Sequence, residues 1–163
     1  MNGTLSELED GEIRSRRSDL HRAGDYAGAI IFQKEFLRRI EERAGGTLNG
    51  VANLAAAHNY LSVLYMKNGD LELAEVHCRR VLNLPSLGRT VASLENHATY
   101  CMVLAWVLYL QGRTLEAIAS AEEAMAEWET VRSSSDSFLD SRRDELASMK
   151  DGTWILHRLN YGW

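Results

Sequence analysis

The sequence predicts an all-α protein, a right-handed solenoid of three helical hairpins followed by a C-terminal capping helix or a partial fourth repeat. Three observations predict it. Glycines recur in one register at Gly24, Gly69 and Gly112, each with a bulky residue four positions earlier (Leu20, Tyr65, Leu108). Each glycine also has an alanine five positions later (Ala29, Ala74, Ala117) and an apolar residue thirteen positions later (Leu37, Leu82, Met125). Recurrence at fixed offsets is the signature of stacked supersecondary units. The single proline in 163 residues lets long helices run unbroken.

The first hairpin is expected over about residues 5–43. A helix from Leu5 to Arg22 ends at Gly24, Asp25 caps the return helix, and Tyr26 to Arg43 turns Ile30, Phe36, Leu37 and Ile40 inward. A glycine-rich break covers residues 44–50. The second hairpin, about 51–84, shows the clearest periodicity, with Leu54, Ala57, Leu61, Leu64 and Tyr65 at three-and-four spacing. Gly69 stops that helix, and Asp70 is expected to cap the next one through its side chain. The return helix carries Leu73, Ala74, Cys78, Val81 and Leu82 toward the core until Pro85 ends it.

The third hairpin spans about 91–131: Val91 to Gln111, the stop at Gly112, Thr114 as expected cap, and Leu115 to Val131. Alanine at 29, 74 and 117 marks where paired helices cross most closely, since a larger side chain would hold them apart. After the Ser133–Ser135 loop a helix is expected over 138–150, with Phe138, Leu139, Leu146 and Met149 as its apolar set. Gly152 stands 40 residues beyond Gly112, as if a fourth hairpin had begun. The repeat domain is therefore read as residues 1–152 and an apolar tail as 153–163. Either the array is capped irregularly here or the chain is a piece of a longer one.

Charge and composition narrow the function. A net charge of −5 gives nucleic-acid binding no electrostatic support; the basic group Arg14, Arg16, Arg17, His21 and Arg22 is the local exception and reads as a solvated helix face, with phosphate or acidic-partner binding as the lesser alternative. The longest apolar run, Cys101 to Leu110, is too short to span a membrane. The opening MNGTLSELEDGE lacks the features of a secretory signal, and two cysteines without one suit reduced thiols, so a cytoplasmic location is expected.

Motifs for catalysis are missing: there is no glycine-rich phosphate loop, serine elbow or paired-carboxylate signature. His77-Cys78 and His97-x3-Cys101 have spacings that can hold zinc. Both cysteines nevertheless fall on core positions of the repeat, where cysteine acts as a small apolar residue. No metal and no cofactor are expected.

The run Leu61-Ser-Val-Leu-Tyr65-x3-Gly69-x4-Ala74-x6-Val81-Leu82 resembles the tetratricopeptide repeat, as does Leu104-Ala105-x2-Leu108-x3-Gly112-x4-Ala117-x6-Ala124-Met125. The first copy keeps Leu20, Gly24, Tyr26, Ala29, Phe36 and Leu37, but Arg16 replaces the apolar residue found at Leu61 and Leu104, which suits a terminal hairpin facing water. The resemblance covers about residues 9–131. Its long period, and the run Gly69-Asp70-x3-Ala74-Glu75-x2-Cys78-Arg79-Arg80-Val81-Leu82, are similar to the repeats of kinesin light chains and related adaptors.

That resemblance implies a non-catalytic scaffold or adaptor that binds a peptide or protein segment in a concave groove lined by the first helix of each hairpin. Counting back from each glycine, the groove would present Arg14, Ser18 and His21, then Asn59, Val63, Met66 and Lys67, then Thr99, Met102, Trp106 and Tyr109. Met102, Trp106 and Tyr109 would form an apolar anchor site. If the helix at 138–150 packs against them, they are core instead, and Trp106→Ala would destabilise the chain rather than weaken partner binding. Repeats that clamp the acidic tail of cytosolic chaperones use lysine, asparagine and arginine where this chain has Arg14, Ser18, Tyr60, Thr99 and Val103. Only Arg14 is chemically similar, so that ligand is not expected. The alternative is a regulatory or sensor domain of a larger protein, with its groove holding a flanking segment or a small effector. The tail 153–163 would then fold back or support self-association.

Overall fold

The computed structural model describes residues 5–43, 47–85 and 90–154. Every regular element among them is helical. A 3-10 turn at Leu5–Glu7 precedes α1 (Asp10–Arg22), α2 (Tyr26–Arg43), α3 (Leu48–Asn68), α4 (Leu71–Leu82), α5 (Val91–Leu110), α6 (Thr114–Val131) and α7 (Ser137–Lys150). The chain divides into two compact units, 1–93 and 94–163. The loop positions 44–46 and 86–89, and the tail from 155 onward, lie outside the described residues.

One local device closes four helices. Gly24, Gly69, Gly112 and Gly152 all have φ between +70° and +90°, the left-handed region that favours glycine. Each glycine N–H donates to the carbonyl three residues back, at His21, Met66, Tyr109 and Met149. The following N–H donates to Leu20, Tyr65, Leu108 and Ser148 at 2.9 Å. This is the Schellman arrangement. The bulky residue four positions before each of the first three glycines is thus the carbonyl that accepts the closing bond.

Helix starts are more varied. The Asp25 carboxylate accepts from Gly28 N–H at 2.8 Å, and Thr47 and Asp136 cap α3 and α7 in the same way. Thr90 and Ser93 exchange two side-chain bonds at the start of α5. Two expected caps are corrected. Asp70 stands at the N-cap position of α4 without a side-chain capping bond, because its carboxylate accepts from the Asn68 amide at 2.6 Å. Arg113 holds the N-cap position of α6, and Thr114 is the first helical residue.

In the first unit, α1–α4 pack around Ile13, Ala29, Leu61, Leu64 and Ala74, each fully buried. The buried stripe of α2 includes a polar member. Gln33 accepts from Arg17 at 2.6 Å and donates to the Ala57 carbonyl at 2.8 Å, joining α1, α2 and α3. Arg39 of α2 reaches back to Asp10 and to the carbonyls of Leu5, Ser6 and Leu8, holding the entry turn in place. Leu73 is a correction: Ala74, Cys78 and Val81 form the buried stripe of α4, and Leu73, about 100° round the helix from Ala74, is exposed.

In the second unit, α5 is buried continuously from Cys101 to Leu108, with Ala117, Ala121 and Ala124 of α6 buried as well. Leu139 and Met149 of α7 are fully buried, and between them Arg142 and Glu145 form a buried pair at 2.7 Å. The ring of Phe138 meets Trp128 edge-on at 4.9 Å, with the Arg132 guanidinium 4.3 Å from its centroid.

Candidate functional site

The first unit gathers donors where α1, α2 and α3 meet. Counting from Gly24 and Gly69 puts His21 and Lys67 near the C-terminal ends of α1 and α3, and the helix pairing brings them together. Lys67 Nζ lies 3.0 Å from His21 Nε2, and His21 Nδ1 lies 2.9 Å from the Tyr60 hydroxyl. An ammonium has only protons to give, so Nε2 must accept and Nδ1 must carry the ring proton. His21 then donates to Tyr60, whose own O–H stays available as a donor. Burial pushes both His21 and Lys67 below their ordinary pKa values, and Lys67 and Arg17 lower His21 further.

Arg17 completes the group. Its guanidinium sits 3.9 Å above the Tyr60 ring while bonding Gln33, and Tyr26 lies 5.8 Å from both the His21 ring and the Lys67 ammonium. Sequence reasoning missed Arg17, Tyr26 and Tyr60 as partners of this site. Arg17 stands one turn before His21, and Tyr60 one residue after Asn59, so both adjoin expected groove positions.

Arg14 lies over the Phe36 ring at 5.9 Å, beside an open cleft of about 400 Å³ that Asp10, Ile40, Arg43, Thr47 and Asn53 also line. Ser18 donates to the Arg14 carbonyl, and Asn59 is half-buried. Val63 and Met66 are buried, so they stand in the core and offer no open surface.

The second unit likewise replaces the apolar anchor with core. Met102 and Trp106 are 1% and 5% exposed, and the Arg142 guanidinium of α7 lies 5.8 Å over the Trp106 ring. Tyr109 is half-buried and meets Trp154 edge-on at 5.1 Å. Thr99 donates to the Glu95 carbonyl. A separate set of metal-capable groups converges between α5 and α6. The donor atoms of His97, Cys101 and Glu123 lie within 4.8 Å of one another, and Glu127 bonds His97 at 2.8 Å.

The helix pairs and their glycine closures are those of a helical repeat, and the family model for the tetratricopeptide repeat matches residues 97–136. Residues 97–136 are a tetratricopeptide repeat. The match begins at His97 of α5 and runs through α6 to the Asp136 cap of α7, so it covers the third hairpin. No curated protein matches the sequence. Tetratricopeptide repeats are in general protein-interaction modules. Among the described residues, no helix is long and apolar enough to cross a membrane.

Proposed function

We propose that this tetratricopeptide-repeat protein is a cytoplasmic, non-catalytic interaction scaffold that captures an extended protein segment on the α1–α3 face of its first unit. The observation that carries this reading is the Lys67–His21–Tyr60 chain. It aligns an ammonium, an imidazole and a phenol so that the Tyr60 O–H and Lys67 N–H groups can be offered outward, beside the Arg17 guanidinium. Cationic donors of this kind suit carboxylates above all, so the segment would be acidic, with its backbone carbonyls adding further acceptors. Partial burial favours the interaction, because a charge already shielded from water loses less hydration on binding.

The two free cysteines are both buried, which fits a reducing compartment. The anchor role leaves Trp106 and moves to Phe36, half-buried beside the open cleft under Arg14. A test uses an array of peptides of varied charge probed with the full chain. Wild type should select acidic peptides, and Lys67→Glu should weaken that binding about tenfold, or about 1.4 kcal/mol, with helical content unchanged. Equal binding of acidic and basic peptides, or indifference to Lys67→Glu, would overturn the reading.

A further inference from the structure

We propose that His97, Cys101, Glu123 and Glu127 form a zinc-type divalent metal site that fastens α5 to α6. The site lies in the second unit and does not depend on the peptide-binding reading. His97 and Cys101 are one turn apart on α5, and Glu123 and Glu127 are one turn apart on α6. Each helix therefore offers two side chains in line, facing the other pair.

The distances fit a tetrahedral ion. Bonds of about 2.0–2.1 Å to imidazole nitrogen and about 2.3 Å to sulfur put those two atoms about 3.6 Å apart at the tetrahedral angle. Cys101 Sγ and His97 Nδ1 are 3.7 Å apart. Glu127 Oε2, at 2.8 Å from the same nitrogen, needs only a small side-chain rotation to trade a hydrogen bond for a ligand position. Glu123 is exposed, so its carboxylate can close the remaining gap by side-chain rotation, within a triad whose donor atoms all lie within 4.8 Å. The His97–Glu127 ion pair alone accounts for two of these groups. It does not account for a thiol and a second carboxylate gathering within 4.8 Å of the same imidazole.

Access and ligand chemistry agree. The thiol forms the buried floor at 1% exposure, while the His97 and Glu127 side chains are 38% and 24% exposed, so an ion can enter from water. The Ser120 hydroxyl donates to the Cys101 carbonyl at 2.8 Å and holds the two helices in register beside the site. Thiolate and imidazole favour zinc-like ions over magnesium or calcium. In the free protein the thiol keeps its proton, which an arriving cation displaces to solvent as the metal–sulfur bond forms.

Cobalt(II) added to the full chain tests the site, because a cobalt–thiolate bond absorbs in the near ultraviolet and four-coordinate cobalt absorbs in the visible. One equivalent of Co²⁺ should produce both bands, and Zn²⁺ should displace it. The charge-transfer band should survive Cys78→Ala and vanish in Cys101→Ala. Glu123→Gln, at an exposed position, should weaken binding about tenfold or more without altering helical content, and it carries the test if Cys101→Ala does not fold. A missing charge-transfer band, a band that persists without Cys101, or an affinity indifferent to Glu123→Gln would overturn the proposal.

Discussion

At the scale of single residues, position along the repeat says more about burial than polarity does. Gln33 is fully buried because it occupies the stripe between Ile30 and Leu37 and finds partners in Arg17 and Ala57. Leu73 is exposed although it is apolar. Trp106 shows the same rule, since its place on α5 is covered by Arg142 from α7. Trp106→Ala should therefore lower stability by about 3–5 kcal/mol, the cost of an emptied aromatic site in a core. Urea unfolding followed by helical circular dichroism measures this, and a midpoint within error of wild type would place the indole at the surface after all. Counting from the glycines located Trp106 on its helix, but whether α7 lay across it depended on contacts between distant segments. Periodicity within one helix does not carry that information.

At the scale of elements, the repeated glycine is a helix terminator with a fixed hydrogen-bond pattern. Positive φ at Gly69 permits the Asp70 N–H to reach the Tyr65 carbonyl, and a Cβ added there would meet no atom within 4 Å. Space is not the reason for glycine; backbone conformation is. Gly69→Ala should cost about 1–2 kcal/mol from left-handed strain alone. Gly69→Asn should recover part of that loss, because asparagine tolerates this region. Denaturant midpoints for the two variants decide the matter, and equal destabilisation by both would point to packing instead. These turns were legible because the requirement is local and recurs in register. The caps were less so: Asp70 serves Asn68, and Arg113 displaces Thr114, through side-chain choices that spacing does not determine. Cross-helix partners such as His58 with His77, or Glu123 with Cys101, depend on how each helix is rotated against its neighbour.

At the scale of the whole molecule, acid should unfold the protein in two windows. In the upper one, His58 Nδ1 and His77 Nδ1 lie 2.9 Å apart between α3 and α4, with the Tyr65 ring stacked 5.5 Å from that of His77. Burial pushes both imidazoles from 6.5 down to about 4, and the nearby positive charge of Arg80 adds to this, with Lys34 also lowering His77. The unfolded chain then binds more protons than the folded one between these values. The stabilisation is present above pH 6.5 and is lost as the pH falls to about 4. His21, also lowered, contributes in the same direction.

The lower window belongs to carboxylates. Hydrogen bonds from Arg38 and Arg39 bring Glu35 down from 4.5 to about 2, so its contribution is lost only as the pH falls through that range. His58→Phe should therefore flatten the fall in urea midpoint between pH 6.5 and 4 while leaving the fall below pH 4 in place. Helical circular dichroism should follow it, because the four tryptophans all lie beyond residue 105, in the sequence of the second unit, whereas His58 belongs to the first. An upper window of unchanged depth in His58→Phe would show that the buried imidazole pair does not set the acid response.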